Sequence, residues 1–149
     1  MSRATLRMRL VAKRLMRHEA HARPSAAGVV PAAFQVCEQL RPSLAMLTGA
    51  AGYRALLGRA LVLASANVAW LRALHVRSDG SLEGWDELAA QVGTKQAVEG
   101  AVELVAQLLG LLAVFIGETL TLRLIGEVWP KVALGDLDGG NGDGNEKAN

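Results

Sequence analysis

The chain has 149 residues, enough for one domain with a single sizeable core. Hydrophobic residues make up 51% and charged residues 20%, which excludes a disordered chain and leaves a globular or a membrane-associated protein. The formal net charge of +2 conceals an asymmetry, because residues 1–23 carry seven Lys or Arg against one Glu, and the remainder is acidic. Aromatic residues are only 4%, and the abundant Ala and Leu favour helices over sheets, so we expect an all-α fold.

The single cysteine, Cys37, excludes an internal disulfide and is compatible with a reducing compartment. No secretory signal is evident, because the N-terminus lacks an uninterrupted apolar core before a cleavage site. We therefore expect a cytoplasmic protein, with membrane association as the alternative. Cys37 is interpreted as a small core residue rather than a nucleophile, since no His–acid pair occurs at a recognisable local spacing.

Residues 3–21 predict a basic amphipathic helix. Its apolar face comprises Ala4, Met8, Val11, Ala12 and Leu15. Its basic face comprises Arg3, Arg7, Arg14 and Arg17, which are the candidate interaction residues, with Arg9 and Lys13 along the edge. One interpretation is a solvated arm, and the alternatives are docking on an acidic partner or membrane, nucleic-acid backbone contact, or an organelle-targeting leader. Nucleic acid is the least favoured partner, because the helix has no base-stacking aromatic residues.

His18 and His21 close this segment as the tetrapeptide HEAH, in which two histidines at i, i+3 could share a helix face. The zinc-protease pattern HExxH needs one more residue between the histidines, and no third ligand is evident nearby. We predict no metal site here.

Residues 24–30 read as a linker, and Pro31 suits the first turn of the next helix. Pro42 predicts a kink or a short break in that helix. The expected buried face consists of Phe34, Cys37, Leu40, Leu44 and Leu47. Gly49 to Gly52 then predict an interruption between this helix and the next.

A long helix is predicted over residues 53–75, with a heptad-like seam that contains one polar member, Asn67. The seam comprises Tyr53, Leu57, Ala60, Ala64, Asn67, Leu71 and Leu74. Asn67 is interpreted as a satisfied core amide or a register device rather than a catalytic group.

Residues 77–81 predict a turn, and residues 82–92 a short helix that faces inward with Leu82, Trp85, Leu88 and Ala89. Its acids, Glu83, Asp86 and Glu87, are interpreted as solvated first-turn residues that complement the helix dipole, not as a carboxylate site.

Residues 95–129 predict the longest helix, with Thr94 as its N-cap, Pro130 as its stop and a bend near Gly110 or Gly117. Between Leu104 and Ile116 its only polar side chain is Gln107, so this part must be buried by protein or by lipid. Glu99, Glu103 and Gln107 form an i, i+4 row that is expected to keep the first half partly solvated.

A membrane-spanning alternative covers residues 101–125. Eleven large apolar residues between positions 104 and 122 supply about −3 to −6 kcal/mol near the bilayer centre. A central Glu118 costs about +2.5 to +3.5 kcal/mol and Gln107 adds to this, so insertion is marginal. Small residues at four-residue spacing, Ala106 with Gly110 and Ala113 with Gly117, suit close helix packing in either solvent.

The tail over residues 134–149 is acidic and Gly-rich, and its composition predicts disorder. Its Asp, Gly and Asn residues match neither the EF-hand loop nor the GGxGxD repeat, so we predict no calcium site.

These elements predict a small all-α bundle of four or five helices, with residues 53–75 and 95–129 as a long central hairpin in a helical domain over residues 31–133. No catalytic constellation, cofactor motif or small-molecule site is found in the sequence. We therefore expect a non-catalytic interaction or scaffold protein that binds a protein partner or itself as a homo-oligomer. The alternative is a small protein anchored in a membrane by residues 101–125, with the basic N-terminal helix on the membrane surface.

Overall fold

The computed structural model describes residues 3–22 and 29–132 of the chain. Within these ranges the elements in order are α1 (Arg3–Ala22), α2 (Val29–Asn67), a 3₁₀ helix (Ala69–Ala73), β1 (His75–Val76), β2 (Leu82–Glu83), α3 (Trp85–Val92), α4 (Thr94–Ile116) and α5 (Glu118–Val128). The predicted small all-α bundle is confirmed. Most of the linker over residues 24–30 and the tail over residues 134–149 lie outside the described residues, so those two predictions stay predictions.

Helix α2 is broken at Gly49, within the interruption predicted at Gly49 to Gly52, and not at Pro42. The helix continues through the exposed Pro42, whereas Gly49 has φ 81° and ψ 164°, a conformation that only glycine adopts readily. Tyr53 Oη donates a hydrogen bond to the Cys37 carbonyl at 3.4 Å. Two residues sixteen apart would be separated by about 24 Å in a straight helix. The first arm of α2 (residues 29–48) and the second arm (residues 50–67) therefore fold back on one another.

The fold-back at Gly49 decides which apolar residues of the first arm are buried. Val36, Cys37, Leu40 and Leu44 belong to the core, but Leu47 is exposed, contrary to the prediction for this face. Thr48 Oγ1 donates to the Leu44 carbonyl at 2.7 Å and so satisfies an acceptor at the end of this arm.

The second arm of α2 and α4 form the central pair, because α4 packs most extensively against α2. The apolar members of the predicted seam are all buried: Tyr53, Leu57, Ala60, Ala64, Leu71 and Leu74. The helix itself ends at Asn67 rather than near position 75, and the 3₁₀ helix and β1 carry Leu71 and Leu74 into the same core.

The segment between the central helices contains a short hairpin around the predicted turn at residues 77–81, and its two strands were not predicted. His75 pairs with Glu83 and Val76 with Leu82 in antiparallel register, so α3 begins at Trp85, three residues later than expected. Trp85 is buried and stacks edge-on against Trp70, with ring centroids 5.9 Å apart. A Cβ atom built on Gly100 would lie 2.4 Å from Trp70 Cζ2, so a glycine is needed where this indole meets α4.

The predicted long C-terminal helix bends at Gly117, one of its two expected positions. Gly117 has φ 91° and ψ 152° and separates α4 from α5. Gly93, not Thr94, occupies the N-cap position of α4.

Helix α1 packs against α4 and α2 through its predicted apolar face. Met8, Val11, Ala12 and Leu15 are completely buried in the same core cluster as the central helices. Within the described residues α1 is therefore part of the bundle and not a solvated arm.

Candidate interaction surface

The candidate arginines of α1 have different environments. Arg7 Nη1 lies 2.7 Å from Glu118 Oε2 at the start of α5. Arg14 is half-buried and Arg17 is exposed, and both make interactions within the protein. Arg3 is the first residue of α1. The structure thus uses Arg7 to join α1 to α5, and the side chain of Arg3 lies outside the described residues.

Glu103 is the centre of a buried polar network. Its residue surface is only 4% exposed. Its Oε1 accepts a hydrogen bond from Arg9 Nη1 of α1, and its Oε2 accepts from Asn67 Nδ2 of α2 at 2.7 Å and from Gln107 Nε2 of α4 at 2.9 Å. The predicted solvated row is therefore wrong at Glu103, because side chains from three helices replace water around its carboxylate.

Burial acts to raise the pKa of Glu103, but the donors Arg9, Gln107 and Asn67 outweigh burial and hold its pKa below the usual value. The carboxylate is therefore charged at neutral pH and ties α1, α2 and α4 together. Asn67 is satisfied by this bond, but the residue is exposed, so the prediction of a core amide is wrong. The sequence did not indicate Arg9 as a partner of Glu103, because the two residues are 94 positions apart and no local spacing connects them.

An open cavity of about 420 Å³ lies between α1, α2 and the end of α5. It is lined by His18, Glu19, Gln39, Val128, Trp129, Pro130 and Lys131. At its wall, Trp129 Nε1 donates to Glu19 Oε2 at 2.8 Å, and both residues are buried. This bond holds the end of α5 on α1. No three metal-ligating side chains lie together in the parts of the chain that the structure describes, so His18 of the HEAH segment has no ligand set around it there.

Cys37 is buried among apolar side chains of the core. Burial, with a smaller contribution from the charge of Glu38, raises the pKa of the thiol to about 12. The neighbouring Tyr53 hydroxyl bonds to its carbonyl, and the Arg41 guanidinium lies 5.5 Å above the tyrosine ring. A thiol that stays protonated at neutral pH fits the predicted core role and not a nucleophile.

Eight large apolar side chains are exposed within the described residues: Leu6, Leu10, Met46, Leu47, Val62, Val114, Phe115 and Leu120. Val114 is 84% exposed, Met46 88% and Phe115 59%. Single exposed apolar residues are ordinary on protein surfaces, but several in one region mark an interaction site. Their positions relative to one another therefore matter.

The direction of the central pair brings four of these residues together. Asn67 contacts Glu103 of α4. Trp70 lies three residues after Asn67, and it contacts Gly100, which lies three residues before Glu103. The second arm of α2 and α4 therefore run antiparallel. The Gly49 turn and the C-terminal end of α4 consequently lie at the same end of the bundle. Met46 and Leu47 precede that turn, and Val114 and Phe115 occupy the last turn of α4.

The start of α5 and the start of α1 reach this same end. Leu120 follows the break at Gly117 by less than one helical turn. The Arg7–Glu118 ion pair places the first turn of α1, with Leu6, beside that break. Leu10 lies further along α1, next to Arg9, which bonds Glu103 in the middle of α4. We call these six residues the apolar end: Leu6, Met46, Leu47, Val114, Phe115 and Leu120. Leu10 and Val62 lie apart from them.

Basic residues accompany the apolar end. The segments that carry it, residues 6–13, 46–59 and 114–123, contain one acid, Glu118, and six cations: Arg7, Arg9, Lys13, Arg54, Arg59 and Arg123. Glu118 and Glu103 pair with Arg7 and Arg9. Lys13, Arg59 and Arg123 are exposed. Cations therefore outnumber acids in these segments, and the exposed Asp79 lies nearby, next to Gly80, which packs against Arg41 and Tyr53.

The sequence signal for this surface was the all-round apolar character of α4. It showed that the helix needed cover, but the three-dimensional fold decides which turns remain uncovered. No protein-family model, curated protein or solved structure matches the chain, so the surface is interpreted from its own chemistry.

Proposed function

We propose that this protein is a non-catalytic helical interaction module that presents its apolar end to a partner. One observation carries the proposal: six of the eight exposed large apolar side chains in the described residues belong to helix ends that meet at one end of the bundle. Soluble monomers rarely expose large contiguous apolar patches, and such patches mark sites of association.

The interior of the bundle supports a scaffold role for the helices. The network around Glu103 joins three helices, and the Trp129–Glu19 bond joins α5 to α1. Buried polar groups that are used in this way fix the relative positions of helices. The helix ends that form the apolar end are therefore held by the core behind them.

A hydrophobic fluorescent dye tests whether the apolar end is an accessible continuous surface. The double variant Val114→Ser/Phe115→Ser should bind the dye several-fold less than the wild type, because it removes two adjacent exposed apolar side chains. Val62→Ser is the matched control, and it should leave dye binding nearly unchanged. Unfolding curves verify that all three proteins are equally folded. Equal dye fluorescence from the double variant and the wild type would remove the proposed surface.

A second candidate function is an integral membrane anchor formed by α4. Residues Lys95–Ile116 are long and apolar enough to span a bilayer by length and composition alone. Against an anchor, 61% of the apolar stretch is buried within the bundle, and spanning would take Glu103 away from Arg9 and Asn67. Extraction of membranes at alkaline pH distinguishes the candidates, since an integral anchor stays in the pellet and a peripheral module is released.

A further inference from the structure

We propose that the partner of the apolar end is an anionic lipid surface, on which the bundle sits as a peripheral protein. This inference rests on the proposed function, because it names the occupant of the same surface. Its basis is the combination of protruding apolar side chains with surrounding cations, the two features that together bind proteins to anionic membranes.

The apolar part of the contact comes from the helix ends. Met46 and Val114 are the two most exposed large apolar residues of the described chain, and Phe115 is exposed beside Val114. They lie within three residues of the Gly49 and Gly117 breaks, at the ends of their helices. Such side chains can enter the boundary between headgroups and acyl chains while the bundle stays folded.

The charged part of the contact comes from exposed cations behind the apolar side chains. Lys13, Arg59 and Arg123 lie on three different helices, up to about three turns from the apolar residues. Each Lys or Arg close to an anionic leaflet strengthens binding, and long basic side chains can extend along the surface towards headgroups. Of the acids near this end, Glu118 is paired with Arg7, and the exposed Asp79 lies close enough to Arg41 and Arg77 for their charges to lower its pKa.

A second copy of the chain fits the surface less well. In a two-fold dimer the same patch faces itself, so the cations of one protomer would approach those of the other. Like charges placed opposite one another across an interface oppose association. An anionic lipid surface satisfies the apolar residues and the cations at once.

Co-sedimentation with vesicles tests the inference. The 149-residue protein should bind vesicles of phosphatidylcholine mixed with phosphatidylserine and bind pure phosphatidylcholine far more weakly. Added salt should release it, because salt screens exposed charges. Neutralising Lys13, Arg59 or Arg123 to Gln should weaken binding about fivefold each. Arg72→Gln, which changes an exposed cation near the opposite end of the bundle, is the control and should bind as the wild type does.

The apolar contribution is tested separately with Phe115→Ser, which should weaken binding about tenfold, against the control Val62→Ser. A site-specific probe then reports insertion. The only cysteine, Cys37, is buried with a raised pKa, so an environment-sensitive fluorophore will react selectively with Phe115→Cys or Val62→Cys. Anionic vesicles should shift the emission of the probe to the blue at position 115 and leave it unchanged at position 62.

Several results would overturn the lipid inference. They are equal binding to neutral and anionic vesicles, retention on membranes through high salt and alkaline wash, or no binding to vesicles at all. If vesicle binding fails while the dye distinguishes the Val114→Ser/Phe115→Ser variant from the wild type, the apolar end remains and its partner is not a lipid. If the dye experiment fails as well, the proposed function fails with it.

Discussion

A carboxylate buried between helices is tolerated only when its charge is compensated, and Glu103 meets this condition with three donors. Two of these donors, Arg9 and Asn67, lie on other helices, so their hydrogen bonds connect α1 and α2 to α4. Removing one member of a buried charged pair leaves the other without compensation, which costs more than the pair contributes on balance.

Glu103→Gln keeps the shape of the side chain and removes its charge. Because the folded pKa of Glu103 is lowered from 4.5, its contribution to the free energy of unfolding is present above that pH. The contribution is lost as the pH falls through the folded pKa. We expect the variant to be about 1–3 kcal/mol less stable than the wild type near neutral pH. The difference should shrink in acid.

Urea denaturation followed by circular dichroism, repeated across this pH range, measures the effect. Glu99→Gln is the matched control, because Glu99 lies one turn earlier on α4 and is exposed. A stability difference for Glu103→Gln that does not change with pH would contradict the ionic role.

The burial of single residues was predictable where periodicity alone decides it. The seam of the second arm of α2 was correct at Leu57, Ala60 and Ala64, since a helical repeat marks one face whatever the partner is. Glu103 and Leu47 were misplaced, because their surroundings depend on α1 and on the fold-back at Gly49. Those contacts join segments distant in sequence, and a local pattern holds no information about them.

At the scale of elements, glycines with positive φ set the ends of the helices. Gly117 has φ 91° and ψ 152°, and a Cβ added there would meet nothing within 4 Å. Any cost of an alanine at this position is therefore conformational and not steric contact with neighbours. Gly110, on the same helix, is also free of contacts within 4 Å but has ordinary helical geometry.

The two glycines should respond to alanine with opposite signs. Gly117→Ala should destabilise the protein by about 1–3 kcal/mol, because alanine strongly disfavours that backbone conformation. Gly110→Ala should stabilise it by about 0.5–1 kcal/mol, because alanine restricts the unfolded chain and favours a helix. Thermal and chemical unfolding measure both effects. Stabilisation by Gly117→Ala would mean that α4 and α5 form one continuous helix.

Sequence patterns predicted the existence of most elements better than their limits. A kink or short break was expected at Pro42 and a further interruption at Gly49 to Gly52, and α2 is broken only at Gly49. Because Pro42 is exposed, water can satisfy the carbonyl that lacks a donor. Gly110 and Gly117 were equally suitable for the bend in the last helix, and Gly117 was selected. Glycine permits such a conformation, but contacts elsewhere in the fold decide which glycine adopts it.

At the scale of the whole molecule, the apolar end and its cations should give two opposite responses to salt. Binding to anionic lipid depends on charge attraction and should weaken as salt is added. Self-association through the same end is opposed by charge repulsion but favoured by burial of Phe115 and its neighbours. Salt screens the repulsion and leaves the apolar contribution in place.

We therefore expect the lipid-free protein to be mainly monomeric at low salt and to self-associate as sodium chloride is raised. Sedimentation velocity measured over a range of salt concentrations tests this. Phe115→Ser should abolish the salt-induced association, whereas Val62→Ser should retain it. An oligomer that is stable at low salt and dissociates at high salt would show that ion pairs hold the copies together, and that a surface other than the apolar end forms their interface.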